Sequence, residues 1–264
     1  MNVDSKKLTY FCGFLGSAII LLGSLATATL YHGKRGGSFS ILNYYISKLG
    51  EAGVSRLAPV FNTSLFVGGL VLLIFVLGLG LYTRTKLGYV ASAFGVFSCI
   101  SCSLVGLFPM NNLSVHDAVA YSFFCNGLVA ITLFTFVILF DKQDKTLKWL
   151  LIPGIITIAS FASYLIVPYI VRLTHGHTPH PHRMVRSHVR LNPVLEWSVF
   201  FTVIAWFVLM SIYLMVKRPV RVEAIQKWNH LKLGEIILKR LKKPRVKWKK
   251  RFPSNPFRNM YILR

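Results

Sequence analysis

Four polar residues in otherwise apolar surroundings carry side chains that could perform acid–base or nucleophilic chemistry. His116 and Asp117 lie side by side in "NNLSVHDAVAYSFF", Ser47 lies in "YYISKLGEAG", and Glu196 begins another apolar stretch. A histidine can act as general base or metal ligand, a carboxylate can orient it or donate a proton, and a serine can be a nucleophile. These four residues are therefore candidate catalytic residues of a lipid hydrolase, although the sequence assigns none of them a role.

Each of these residues also has a structural explanation. Asp117 and Glu196 stand where apolar stretches begin, and a carboxylate in the first turn of a helix can cap its free amides. His116 would then be an ordinary interfacial histidine. Ionisable groups close to a membrane are costly unless they are paired or hydrated, so their recurrence on one face favours a site. We expect His116 and Asp117 to tie their helix to the first and sixth helices through polar contacts.

The elements that position these residues are six membrane-spanning helices. Of the 264 residues, 54% are hydrophobic and 15% are charged. Apolar windows of about 20 residues, the length that crosses a bilayer as a helix, predict an all-α, multi-pass bundle. The predicted spans are residues 10–31, 60–82, 88–109, 118–140, 149–171 and 196–216. Gly68, Gly69, Gly78 and Gly80 in the second span either permit close helix approach or are simply common membrane-helix residues.

The basic residues predict that both termini are cytoplasmic, because cytoplasmic segments retain Lys and Arg. This orientation places 23 of the 31 basic residues on the inner side and 8 on the outer side. The first, third and fifth loops then share the outer side and bring the candidate residues to one face. All four cysteines lie inside apolar stretches, which argues against a disulfide framework or a thiolate metal site. The sequence does not distinguish the plasma membrane from an endomembrane.

The fifth loop, "THGHTPHPHRMVRSHVR", is rich in histidine. Histidine tracts can bind zinc, copper or nickel, and His175, His177, His180 and His182 are the candidate metal ligands, which His116 could approach from the third loop. A pH-sensitive outer loop explains the same pattern. No cofactor is firmly implied, and zinc is the one to test.

The basic tail, residues 217–264, holds 16 Lys and Arg and two acids within a chain of net charge +23. A basic segment beside a membrane gains about 1 kcal/mol per Lys or Arg near anionic lipid, and interleaved aromatics can lie at the headgroups. Anionic headgroups are the first expected partner and another membrane-protein subunit the second, ahead of nucleic acid. The candidate binding residues are Lys217, Arg218, Arg221, Lys239, Arg240, Lys242, Lys243, Arg245, Lys247, Trp248, Lys249, Lys250 and Arg251.

Five short motifs, in order along the spans, resemble one family of membrane proteins. They are "YYISKLGEAG", "FNTSLFVGGL", "YTRTK", "VHDAVAYSFFCNG" and "LEWSVFFTVIAWF". Together they resemble the DRAM/Frag/Sfk superfamily of six-helix proteins and the prokaryotic domain of unknown function 998 family, over residues 10–216. The resemblance implies a six-helix fold in a lipid context and gives Ser47, Gly50, Asn62, His116, Ala120 and Glu196 the characteristic positions. Lys48 departs from the pattern, because DRAM-like members carry an acidic residue there.

Three classes of function follow from these observations. The chain has no H-E-x-x-H, G-x-S-x-G, P-loop or dinucleotide-binding motif, which favours a non-enzymatic protein that organises lipid or serves as a subunit of a membrane complex. A lipid-remodelling hydrolase is the alternative. A transporter is least favoured, because Asn126 is the one strongly polar side chain near the middle of a span.

Overall fold

A computed structural model describes residues 3–33, 37–141, 145–175 and 190–217. Within them the chain forms six long α-helices and no strand, and all six helices are long and apolar enough to cross a membrane. The helices are α1 (Val3–Thr29), α2 (Ala58–Thr83), α3 (Lys86–Leu107), α4 (Leu113–Phe140), α5 (Leu151–His175) and α6 (Leu191–Val216). Short 3₁₀-helices cover Ile46–Gly50, Met110–Asn112 and Lys145–Leu150. The predicted six-helix membrane architecture is therefore confirmed.

Five of the six helices begin earlier than their apolar stretches indicated, α1 by seven residues. Helices α4 and α6 start five residues before the predicted spans, at Leu113 and Leu191. Hydropathy detects the part of a helix that lies in hydrocarbon, whereas the hydrogen-bonded helix continues into the polar interface. Asp117 and Glu196 consequently lie in the second turn of their helices, beyond the reach of the free N-terminal amides.

The six helices form a closed ring in chain order. Each helix packs against its neighbours in sequence, and α6 returns to pack against α1. Side chains from helices that are not adjacent in the ring meet inside it, as in the edge-to-face pair of Phe75 on α2 and Phe207 on α6, whose ring centroids are 5.5 Å apart. The interior of this ring is where a central cavity can form.

Small residues hold α1, α2 and α3 close together. Each of the four glycines predicted to permit close helix approach faces a neighbouring helix. A Cβ on Gly68 would lie 3.2 Å from the backbone oxygen of Gly16, and one on Gly69 would lie 3.0 Å from that of Cys99. Gly78 faces Thr9, and Gly80 faces Ser92. Close backbone approach at small residues is the usual source of helix association in membranes, because lipid removes the hydrophobic driving force.

The closest backbone contact lies at Gly106, near the end of α3. A Cβ at Gly106 would collide with the backbone oxygen of Asn62 and would lie 2.9 Å from the backbone nitrogen of Phe66, both on α2. Neither of these atoms can move without displacing a helix. Gly106 therefore sets the separation of α2 and α3 beside the first and third connections.

Those two connections and the end of the fifth meet at the same end of the bundle. The amide of Asn111 pairs with the backbone of Ala52, accepting its N–H at 2.8 Å and donating to its carbonyl at 3.0 Å. The N–H of Arg190 donates to the carbonyl of Leu42 at 2.8 Å. The expectation that the first, third and fifth loops share one face is confirmed, while the side of the membrane on which they lie stays a prediction.

At the other end of the bundle, the start of α1 meets the end of α6. The ammonium of Lys6 donates to the carbonyl of Lys217, and the ammonium of Lys217 donates to the hydroxyl of Tyr213 at 2.9 Å. The six-helix unit ends at Lys217. The remaining candidate binding residues of the tail lie outside the described residues.

We expect Gly106→Ala to destabilise the bundle by about 1–3 kcal/mol, the usual cost of forcing a methyl group into a packed contact. The free energy of unfolding, measured by SDS titration in mixed micelles, tests this. Gly37→Ala is the matched control, because a Cβ at Gly37 would meet nothing within 4 Å. Equal stability of the two variants would show that α2 and α3 are not held this closely.

Candidate functional site

Three of the four candidate residues lie together at the end of the bundle where the connections meet. Ser47 on the first 3₁₀-helix, His116 on α4 and Glu196 on α6 are all buried, and all three line the same two adjoining cavities. The outer cavity, here called the vestibule, has a volume of about 270 Å³. The inner cavity, here called the chamber, has a volume of about 130 Å³. The predicted convergence of these residues is thus seen in the structure.

The chamber is the void at the centre of the helix ring. All six helices contribute to its wall, from Ile20 on α1 to Phe161 on α5 and Trp206 on α6. Most lining side chains are apolar. Among the polar ones, Ser47, His116 and Glu196 lie where the chamber meets the vestibule, whereas Ser98 lies deeper and donates to the carbonyl of Phe123 at 3.1 Å. The indole N–H of Trp206 is buried and has no acceptor among the described residues. Apart from this N–H, most of the wall is apolar, so the chamber suits an apolar ligand.

The vestibule has a different character from the chamber. Besides the three shared residues, its wall includes the carboxylate of Asp117 and the phenol rings of Tyr45, Tyr121 and Tyr164. The rings of Tyr164 and Phe124 lie against each other, with centroids 4.1 Å apart. The two cavities together offer a polar compartment at the bundle end that leads to an apolar compartment inside the membrane region.

Glu196 connects α6 to the first loop. Its side chain is 7% exposed, and its Oε2 accepts the backbone N–H of Ile46 at 2.8 Å. The next residue, Trp197, donates its indole N–H to the carbonyl of Tyr44 at 3.1 Å. Capping of α6, the structural explanation considered for Glu196, is therefore wrong, because the carboxylate binds another segment. This pair of contacts fixes the 3₁₀-helix that carries Ser47.

An aromatic cluster packs beside these two hydrogen bonds, on the side of the first loop. Phe39 packs edge-to-face on Trp197, with centroids 5.8 Å apart, and stacks on Tyr44 at 5.7 Å. Tyr31 completes the cluster, and burial raises the pKa of its hydroxyl, with nearby Tyr44 and Glu51 adding to the shift. Since a raised pKa keeps a phenol neutral, Tyr31 carries no charge at physiological pH.

His116 is held in one tautomer by the end of α3. The side chain is 5% exposed, and its Nδ1 lies 2.8 Å from the carbonyl of Phe108. Because a carbonyl only accepts, Nδ1 carries the hydrogen, and Nε2 of the neutral ring is an acceptor. No described residue hydrogen-bonds to Nε2. The expectation that His116 ties α4 to the first and sixth helices is wrong, because its bond runs to the adjoining end of α3.

Asp117 is exposed and lies on the vestibule wall. It makes no hydrogen bond or ion pair with the described residues, and the first turn of α4 holds no acidic residue. Helix capping and a tie to the first and sixth helices are therefore both wrong for this residue. Its carboxylate is available to whatever enters the vestibule.

The remaining characteristic positions support the first loop. The amide of Asn62 donates to the carbonyl of Gly50 at 3.0 Å, and a Cβ at Gly50 would collide with the amide oxygen of Asn62. Ala120 lines both cavities. Lys48, where the chain departs from the DRAM-like pattern, pairs with Glu51 at 2.7 Å and lines neither cavity.

Sequence reasoning missed several residues of the site. Tyr45, Tyr121, Tyr164 and Trp197 lie among many other aromatic residues of apolar stretches, and no spacing distinguishes them. Asn111 and its pairing with Ala52 were missed as well. A faint signal for Trp197 was its place directly after Glu196, while Tyr164 offered none, because its role depends on how α5 is rotated in the ring.

The metal prediction stays a prediction. The side chain of His175, together with His177, His180 and His182, lies outside the described residues. Among the residues that the structure does describe, no group of three or more His, Cys, Asp or Glu could hold a metal ion. All four cysteines are free thiols, as expected from their apolar surroundings.

We expect Glu196→Ala to lower the free energy of unfolding by about 1–3 kcal/mol, because it leaves the buried N–H of Ile46 without an acceptor. Glu196→Gln keeps an acceptor oxygen and is expected to lose less. SDS titration in mixed micelles measures both, with Glu51→Gln as a control outside the cavities. If Gln proves as damaging as Ala, the hydrogen bond to Ile46 is not what makes Glu196 stabilising.

Comparison with known proteins places the chain in a family but not with a characterised relative. No curated protein and no solved structure matches it. The model of one family, described as protein of unknown function (DUF998), matches residues 14–213, which overlap all six helices and include every residue that lines the two cavities. The chain therefore belongs to the DUF998 family of proteins of unknown function.

Proposed function

We propose that this protein is a non-enzymatic membrane protein that binds single lipid molecules and so organises lipid in its membrane. A lipid would lie with its polar head in the vestibule and part of its chain in the chamber. One observation carries the proposal: a polar cavity and an apolar cavity adjoin at Ser47, His116 and Glu196. A ligand that fits both cavities has to be amphiphilic.

The size of the chamber supports a chain segment as its occupant. Its volume of about 130 Å³ is similar to that of an engineered apolar cavity of about 150 Å³ that holds benzene. Lipid tails are as apolar as the chamber wall, so transfer from the bilayer gives no hydrophobic gain. The gain comes from restoring the dispersion contacts that an empty cavity forfeits. Selectivity then has to come from the vestibule.

The hydrogen bonds of the site favour binding over catalysis. Glu196 is engaged with the backbone of Ile46, and Nδ1 of His116 is engaged with a carbonyl rather than a carboxylate. Ser47 and His116 line the same cavities, but no hydrogen bond joins them within the described residues. A nucleophile and its base in hydrogen-bond contact, which serine catalysis requires, are not assembled there.

The basic tail supplies the second half of the proposal. Its charge would hold the bundle against an anionic leaflet or a partner subunit of a membrane complex, as its composition indicates. The resemblance to the DRAM/Frag/Sfk superfamily implies a similar lipid context. Lipid binding by the bundle and docking by the tail are separable functions of the two parts.

A lipid-remodelling hydrolase is the second candidate. It is favoured by the meeting of a serine, a histidine with an available Nε2 and a carboxylate at one cavity junction. Release of fatty acid or headgroup from bilayer lipid by the purified protein measures this activity. Turnover that disappears in Ser47→Ala would replace the binding function with a hydrolase.

We expect Ala120→Leu to reduce the lipid retained by the protein about tenfold, because overpacking a site costs about 1–3 kcal/mol and 1.4 kcal/mol is tenfold in affinity. Native mass spectrometry of protein purified in a mild non-ionic detergent measures lipid occupancy. Ala118→Leu is the matched control, since Ala118 is exposed on the same helix and lines neither cavity. Equal occupancy of both variants, or a wild-type protein without lipid, contradicts the proposal.

A further inference from the structure

The wall of the vestibule contains the groups that attract an organic cation. Three tyrosines, Tyr45, Tyr121 and Tyr164, line it together with the acidic residues Asp117 and Glu196. Aromatic faces attract cations through their quadrupoles, and aromatic cages are how proteins recognise quaternary ammonium groups. This combination of aromatic and acidic residues favours a ligand whose head is positively charged.

The cage is assembled from four separate elements. Tyr45 directly precedes the first 3₁₀-helix, Tyr121 and Asp117 lie on α4, Tyr164 on α5 and Glu196 on α6. In the inner part Phe124 and Glu196 are buried, and the half-buried Tyr164 lies against Phe124 with its ring plane tilted by 35°. The outer part is open, with Tyr121 63% exposed and Asp117 exposed. A head entering from the bundle end would pass Asp117 before it reached the inner rings.

Charge separates the vestibule from the rest of the chain. Of the residues that the structure describes, two acidic ones, Asp117 and Glu196, line the vestibule and no Lys or Arg does. Lys48, the lysine nearest in sequence to Ser47, is paired with Glu51. A carboxylate or phosphate monoester would face these acids with no lysine or arginine among the described lining residues to pair with it. The vestibule therefore selects against anionic heads.

We propose that the vestibule binds a quaternary ammonium head, of the choline type, on an amphiphile whose chain enters the chamber. The inference rests on the proposed lipid-binding function and specifies its ligand. Trimethylammonium is a better match than a primary ammonium, because its methyl groups contact aromatic faces and need no hydrogen-bond acceptors. Asp117 supplies the outer charge, and Tyr121 and Tyr164 supply the rings.

Three amphiphiles with the same dodecyl chain test this proposal: dodecyltrimethylammonium, dodecylamine and dodecanoate. Each is titrated into the full-length protein in non-ionic detergent, and native mass spectrometry measures the occupied fraction. We expect the trimethylammonium probe to bind about tenfold more tightly than dodecanoate, the equivalent of 1.4 kcal/mol. Preference for a cation by a chain of net charge +23 would have to come from local groups.

Two variants separate the head site from the chain site. Asp117→Asn and Tyr121→Leu change exposed side chains and are each expected to weaken trimethylammonium binding about three- to tenfold, as expected for losing an ion pair or a cation–π contact. Asp4→Asn, the same change at an exposed site at the start of α1, is expected to have no effect. Ala130→Leu, at a residue that lines the chamber and not the vestibule, is expected to weaken all three probes alike.

The outcomes distinguish this inference from the proposed function. Binding of all three probes with equal affinity, or tighter binding of dodecanoate or dodecylamine, overturns the quaternary ammonium site and leaves lipid binding standing. An Asp117→Asn variant that behaves like Asp4→Asn overturns it as well. If none of the probes binds, both the inference and the lipid-binding function fail.

Discussion

The backbone of residues 44–52 lies at the end of a membrane bundle without a regular α-helix to satisfy its polar groups. An unpaired backbone group in such surroundings costs several kcal/mol, so irregular backbone survives only where other groups pair with it. Here side chains from other elements do so. Glu196 accepts from Ile46, Trp197 donates to Tyr44, Asn62 donates to Gly50 and Asn111 pairs with Ala52. These bonds fix the first loop, and with it Tyr45 and Ser47 on the cavity walls.

Helix packing, together with these hydrogen bonds, explains why a cavity persists beneath the loop. Glycines bring α1, α2 and α3 into backbone contact on one side of the ring, while the other side presents large rings such as Phe161 and Trp206. Small residues on one wall and rigid rings on the other leave a void that the side chains do not fill. The hydrogen bonds from Glu196 and Trp197 on α6 to the first loop hold this end of the bundle in place above the void. The chamber is thus a consequence of the packing and leaves the core otherwise intact.

Much of the fold could be predicted from the sequence, because the bilayer fixes both the length and the composition of a spanning helix. The six spans, the close approach at Gly68 and Gly69 and the shared face of the three loops all followed from such patterns. The roles of Asp117 and Glu196 did not follow, because hydropathy marks the hydrocarbon boundary and misses the turn of helix that precedes it. Whether a tyrosine reaches the vestibule depends on how its helix is rotated. An apolar sequence with aromatic residues on every face does not reveal that rotation.

The net charge of the chain and the local charge of the vestibule have opposite signs. A net charge of +23 suggests attraction to anions everywhere, yet exposed charges are screened beyond a Debye length of about 8 Å at physiological ionic strength. Glu196 lies near the start of α6, and Lys217 follows its end. At 1.5 Å per residue, the helix separates these two residues by roughly 30 Å. The potential in the vestibule is therefore set by the groups that line it, above all the exposed carboxylate of Asp117. The proposed headgroup site is therefore expected to follow the charge of its own lining residues rather than the net charge of the chain.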